Sequence, residues 1–206
     1  MAKTEKNIRG KVGNTIFYRV GDETRVRGTS GSYLDANTRE QQDNRSRLRT
    51  AVRFYQRVPR GGVRETWKIA AESAGKNGYN LFMKQNMMVF KPNGKIGDFS
   101  RLQLTAGSLQ KVDNLVATAG EDNTVTLAWE KEADLPTARV DDRLMVVVLY
   151  GNRSFTPVPV EGITASRGEG KAVFRLRREK GITAHLYCFF GANEGRAYSE
   201  SQYIRV

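Results

Sequence analysis

The chain has 206 residues, 39% of them hydrophobic and 27% charged, with a net charge of +12 and a single cysteine. Its length has room for one large domain or two small ones. No apolar run reaches the length of about 18 residues that a bilayer span needs, and one cysteine excludes an intrachain disulfide framework and suits a reducing compartment. The charge is lopsided: residues 1–99 hold 20 Lys+Arg against 9 Asp+Glu, and residues 100–206 hold 14 against 13. That asymmetry points the first half toward an anionic partner, whether nucleic acid, an acidic protein face or a membrane surface.

The opening residues MAKTEKNIRG lack the apolar core of a secretory signal, so cytoplasmic synthesis without export is the expectation. Residues 9–28, RGKVGNTIFYRVGDETRVRG, read as a β-hairpin: TIFYRV, a Gly-Asp-Glu turn, then TRVRG. Gly10, Gly13 and Asn14 mark a turn at its opening. Residues 29–36, TSGSYLDA, are polar and read as a loop. Residues 37–58 read as a helix, capped by Asn37 or Thr38, with Leu48, Ala51, Val52, Tyr55 and Val58 at helical spacing. Pro59, Gly61 and Gly62 end it. VRETWKIAAESA and GYNLFMKQNMMVF predict two further short helices. Together with the hairpin they would share only a thin core.

KPNGKIGD, residues 91–98, reads as a linker. Beyond it the pattern changes to alternation. NTVTLAWE places Val125, Leu127 and Trp129 on one face, and DRLMVVVLY, KAVFRLR, AHLYCFFGA and SQYIRV are further strands. The expected fold is therefore an α+β N-terminal part, a hairpin plus about three short helices over residues 1–98, followed by an all-β sandwich over residues 99–206.

The Trp-bearing strand TVTLAW, a later strand around Tyr187 and the ending from Ala192 to Ser201 resemble a fibronectin type III or immunoglobulin-like domain. That resemblance implies that Trp129 and Tyr187 fill the core aromatic positions of the fold. Over most of its length the chain also resembles an uncharacterised family of Bacteroidota proteins that pair a GKVGN-type N-terminus with a fibronectin-like C-terminal domain. The matching residues are GKVGNTIFYRV, QQDNRSRLRTAVRF, LQLTAGSL, RGEGKAVFRL and the SQY tail. The family implies an architecture and no activity.

Catalytic signals are weak. His185 and Cys188 share the strand AHLYCFF, but alternation puts His185 with Tyr187 and Phe189 and turns Cys188 the other way with Leu186 and Phe190, so no Cys–His pair forms. Two such ligands do not make a zinc site. Asp141 and Asp142, with Asp134 upstream, could hold Ca²⁺ or act as acid and base, or simply form a solvated turn. RGEGKAVF lacks the spacing of a phosphate-binding loop. No metal or cofactor is expected, and no enzyme activity.

The strongest signal is basic. Arg45, Arg49, Arg53 and Arg57 recur every fourth residue along one drifting stripe, an arrangement that costs an isolated helix roughly 0.2–0.5 kcal/mol per like-charged pair. Arg60 and Arg64 continue it, and Arg19, Arg25 and Arg27 on the hairpin extend the set. The alternative is a solvated face whose arginine stems cover apolar surface. Tyr18, Tyr33, Phe54, Tyr55 and Trp67 interleave with these charges in the manner of a stacking platform for single strands, although Tyr55 and Trp67 also fall on apolar faces.

The expectation is a non-catalytic structural or assembly protein of a multi-subunit, virion-like particle. It would dock through its basic part onto protein subunits, copies of itself among the candidates, and present the fibronectin-like domain. The alternative is an accessory protein binding DNA or RNA without sequence specificity, and after that a surface adhesin.

Overall fold

The computed structural model describes residues 8–31, 35–72, 75, 77–131 and 134–206. The chain divides into two compact units, residues 1–38 and 39–206. The boundary read from sequence at 98/99 falls inside the second unit.

The first unit is a three-stranded antiparallel sheet, ordered β1 (Gly10–Val12), β2 (Thr15–Val20), β3 (Glu23–Gly28). The expected hairpin is β2–β3, with Thr15 opposite Gly28 and Val20 opposite Glu23. The GKV segment adds a short edge strand through a turn at Gly13, whose φ is +57°. None of the described residues of this unit is buried.

The second unit begins with α1 (Arg39–Arg57), α2 (Val63–Glu72) and α3 (Gly78–Asn86), the last running into a 3₁₀ turn, Met87–Val89. Asn77 caps α3, its side chain accepting from Tyr79 N–H at 2.8 Å. Seven strands follow: β4 (Val116–Ala119), β5 (Thr124–Ala128), β6 (Arg143–Tyr150), β7 (Val158–Pro159), β8 (Lys171–Arg175), β9 (Ala184–Gly191) and β10 (Gln202–Arg205). They form two antiparallel sheets, β4-β5-β8 and β10-β9-β6-β7.

Alternation along β6 and β9 sends side chains to two different cores. Leu144, Val146, Val148, Leu186, Cys188 and Phe190 face the three-stranded sheet and meet Val125, Leu127 and Trp129. Val147, Leu149, Tyr187 and Phe189 face the other way and share a second core with Phe54, Trp67, Phe82 and Phe90 of the helical layer. The helices therefore do not rely on the thin core that their own residues could supply. They cover the outer face of the four-stranded sheet, and every residue of β9 is buried in consequence.

Trp129 lies between the sheets as expected, edge-on to Phe190 at 5.5 Å, with its indole N–H donating to Arg167 O at 2.8 Å. Tyr187 is a correction: it points to the helical side, where its hydroxyl donates to Phe99 O at 2.8 Å.

LQLTAGSL, which holds no regular element over Leu102–Ala106, is stapled between layers. Leu104 O accepts the Trp67 indole N–H at 2.7 Å, Leu104 N–H donates to Ser201 Oγ at 3.0 Å, and Thr105 Oγ1 donates to Ser199 O at 2.9 Å. At Gly107 any Cβ would collide with the Tyr198 carbonyl, so the close crossing of the two segments needs glycine there.

Candidate functional site

The nine arginines singled out from sequence fall in both units. In the first unit, Arg19 pairs with Asp22 at 3.2 Å and donates to Gly21 O, and Arg25 pairs with Glu23 at 3.3 Å. Arg27 lies over the Tyr18 ring, 5.7 Å from its centroid. All three have local partners.

In the second unit the buried side of α1 carries Thr50, Ala51 and Phe54. At 100° per residue, Arg45, Arg49 and Arg53 lie on the opposite side, and all three are exposed. Arg57, also exposed, closes the last turn, where a cation complements the helix dipole. Among the described residues no carboxylate lies within ion-pair distance of Arg49, Arg53 or Arg57. A shallow depression beside the stripe is lined by Gln42, Asp43, Arg45, Ser46, Arg49 and Pro92, and Ser46 Oγ donates to Pro92 O at 2.7 Å.

Arg60, in the turn after α1, is exposed. Arg64 is different. Its guanidinium caps α1, with Nη2 donating to Tyr55 O at 2.7 Å and Gln56 O at 2.8 Å, and it lies 4.9 Å from the centre of the Tyr55 ring. Its role in the fold is to satisfy carbonyls that a helix end leaves open. Leu48, read from sequence as a core position, is 42% exposed and flanks the arginine stripe.

The aromatic residues divide in the same way. Phe54 and Trp67 are fully buried. Tyr55 is half-buried, and burial raises the pKa of its hydroxyl, with the neighbouring Arg64 charge working against the shift. Tyr18 is 39% exposed in the first unit. Tyr33 lies outside the described residues.

His185 and Cys188 are on opposite faces of β9. His185 stacks on Phe99 at 3.7 Å and sits 2.8 Å from the Tyr203 hydroxyl through Nδ1. Burial, with the Arg205 charge second, lowers its pKa. Cys188 is enclosed between the sheets, where burial pushes the thiol up to about 12 and removes the thiolate that chemistry would need.

The three aspartates take different partners around residues 139 and 140. Asp134 accepts from Val140 N–H, and exposed Asp141 meets Arg139 and Asn193. Asp142 is buried against Arg167 at 3.2 Å and accepts from Arg139 N–H. Burial raises the Asp142 pKa, and the Arg167 charge opposes the shift. Among the described residues no group of three His, Cys, Asp or Glu side chains could hold a metal ion.

Sequence reading missed Arg167. It sits in RGEG as an apparently ordinary charged turn, yet it is 1% exposed, lies 4.5 Å from the centre of the Phe190 ring and donates to Gln110 O at 2.7 Å. Around it, Glu169 accepts from Ser166 N–H and Gly170 takes a φ of +69° to close the turn. The RGEG motif is thus a fold element.

Among the described residues, no helix is long and apolar enough to cross a membrane. A model of a protein family described as DUF6266, a family of unknown function, matches residues 7–205. No curated protein matches the chain.

Proposed function

The chain belongs to the DUF6266 family, and we propose that it is a non-catalytic docking protein whose basic α1 face receives an acidic surface of a larger, virion-like assembly. One observation carries this reading: Arg49, Arg53 and Arg57 repeat along the exposed side of α1 with no carboxylate at ion-pair distance among the described residues. Like charges at that spacing disfavour the helix on its own, and an anionic counter-surface turns the same arrangement into a gain. Arginine suits such a contact because its planar fork bonds carboxylates in pairs. Exposed Leu48 beside the stripe supplies the apolar content of a protein interface.

The strand orders β4-β5-β8 and β7-β6-β9-β10 support reading the two sheets as a fibronectin type III-like sandwich. Its four-stranded sheet is then committed to the helical layer, which leaves the three-stranded sheet for display. Nucleic acid is the weaker alternative for α1, because Phe54 and Trp67 are in the core and, among the described residues, no row of exposed aromatics lies along the α1 arginines.

Titration of the full chain with poly-L-glutamate and with a random DNA duplex, at 50 and 200 mM salt, tests the reading. The Arg49→Ala/Arg53→Ala/Arg57→Ala variant should bind polyglutamate at least about tenfold more weakly than wild type. Three phosphate contacts would instead make duplex binding fall roughly 40-fold over that salt range, and a larger loss for the duplex than for polyglutamate would favour the alternative. Equal affinity of wild type and variant for both probes would overturn the docking role of α1.

A further inference from the structure

The two facing sheets are joined along one side and open along the other. On the joined side Gln202 bonds the backbone of Val112 in both directions, its Oε1 accepting from the N–H at 3.1 Å and its Nε2 donating to the carbonyl at 2.8 Å. On the open side β7 ends one sheet and β8 ends the other. Among the described residues no hydrogen bond joins those two strands. A groove of about 800 Å³ runs between them. Core side chains Val148, Tyr150 and Phe174 line its interior, and Val158 and Val173, 40% and 59% exposed, stand along it.

The two rims differ. β7 has two residues, and Pro159 has no N–H to offer a new neighbour. β8 has five residues and pairs with β5 on one side only. Antiparallel pairing uses the backbone groups of alternate residues, so the remaining N–H and C=O groups of β8 point away from β5. A free edge of that length is a template for another strand unless something guards it. Across the mouth the Tyr150 hydroxyl of β6 bonds the Arg177 backbone, and the Arg177 side chain reaches Glu161 at 3.9 Å with side chains 91% and 82% exposed. A pair so exposed adds little and is easily exchanged.

Charge selects the occupant. The alternation of β8 puts Ala172 and Phe174 inward and leaves Lys171, Val173 and Arg175 exposed on the outer face, with Arg175 Nε donating to Asp122 O at 2.8 Å and the rest of its charge open to solvent. A strand added beside it would set its own outward residues next to Lys171 and Arg175, where acidic side chains form favourable cross-strand pairs. Its inward residues would lie over Val148 and Phe174, where apolar side chains belong. We propose that β8 accepts an extended protein segment with alternating acidic and apolar residues as a fourth strand, and that an acidic side chain of this segment replaces Glu161 on Arg177. This mode of recognition takes affinity from main-chain bonds and specificity from alternate side chains. It does not depend on the reading of α1.

The test is an NMR titration of the ¹⁵N-labelled full chain with a seven-residue peptide alternating glutamate and valine. Saturable shifts confined to residues 158–162 and 171–178 are expected, and a peptide with a central proline should produce none. Lys171→Glu/Arg177→Glu changes two exposed side chains outside the core, and should weaken the glutamate peptide by about tenfold while favouring a lysine–valine peptide. The α1 triple variant should bind the glutamate peptide like wild type, so failure at one surface is separable from failure at the other. The proposal is overturned if shifts are absent at millimolar peptide, fall on α1, or survive the central proline.

Discussion

Two arginine–aspartate pairs in this chain have the same N–O separation, 3.2 Å, and sit in opposite surroundings. Arg19–Asp22 belongs to the three-stranded sheet at the N-terminus, where the aspartate is fully in water. Arg167–Asp142 is sealed in the second unit, with side chains 2% and 1% exposed. The first unit has no buried side chain among its described residues and is held by turns and ladder hydrogen bonds. The second has a central sheet with an apolar core on each face. One interaction therefore has two meanings: surface electrostatics in water, and a structural necessity where removal of either partner strands a charge away from solvent.

The largest expected effect follows directly. Asp142→Ala strips Arg167 of this carboxylate and leaves Arg139 N–H without its acceptor. It should cost about 3–5 kcal/mol, a fall in Tm on the order of 10 °C by calorimetry. Asp142→Asn keeps an acceptor oxygen and should cost less. A loss within experimental error for Asp142→Ala would erase the distinction between the two pairs.

Next in size is the staple between layers. Trp67→Phe preserves most of the aromatic packing against Phe82, 5.3 Å away, and deletes the donor to Leu104 O. A buried carbonyl left unsatisfied costs about 1–3 kcal/mol, readable as a lower midpoint in urea with an unchanged slope. A change in slope would mean that the helical layer has separated from the sheet as its own folding unit.

Much of this architecture is legible in the sequence, and the parts that are not share a cause. The strands β5, β6, β8, β9 and β10 and the three helices announce themselves by local periodicity. β4 and β7, four and two residues long, carry too little pattern to register. Burial of β6 and β9 on both faces is written in RLMVVVLY and AHLYCFFG as near-continuous apolar runs. Dividing the chain at 98/99 separates the helices from the sheet that completes their core. Arg64 and Arg167 are invisible locally because what defines them lies at a distance: carbonyls 8 and 9 residues back for one, a carboxylate 25 residues away for the other. The α1 stripe is legible because spacing alone creates it, whereas exposure of Leu48 depends on how the helix is turned against its neighbours.

A pH scan sharpens the contrast within the second unit. His185, the only histidine in the chain, is stacked on Phe99 and has its pKa lowered chiefly by burial. Its neutral form is the one the fold accommodates. The stability it contributes is present above the ordinary histidine pKa of about 6.5 and is lost as pH falls from there through the depressed folded value. Between pH 7 and 5 the stability of the second unit should decline, by no more than about 1.4 kcal/mol per pH unit. His185→Gln should flatten that decline. A slope that survives the substitution assigns it elsewhere.

The smallest expected effect returns to the first pair. Asp22→Ala removes a fully exposed carboxylate from Arg19, which keeps its bond to Gly21 O. No change in global stability should be measurable. Amide exchange separates this silence from a merely insensitive assay. Amides of β2 and β3 should exchange through small local openings, as expected for a sheet without a buried side chain. Those of β6 and β9 should exchange only on global unfolding, and Asp142→Ala should accelerate them while leaving β2 and β3 unchanged. If Asp22→Ala accelerated β6 and β9 as well, the two units would be thermodynamically coupled, and the weak pair would be reporting on a core to which it contributes no atom.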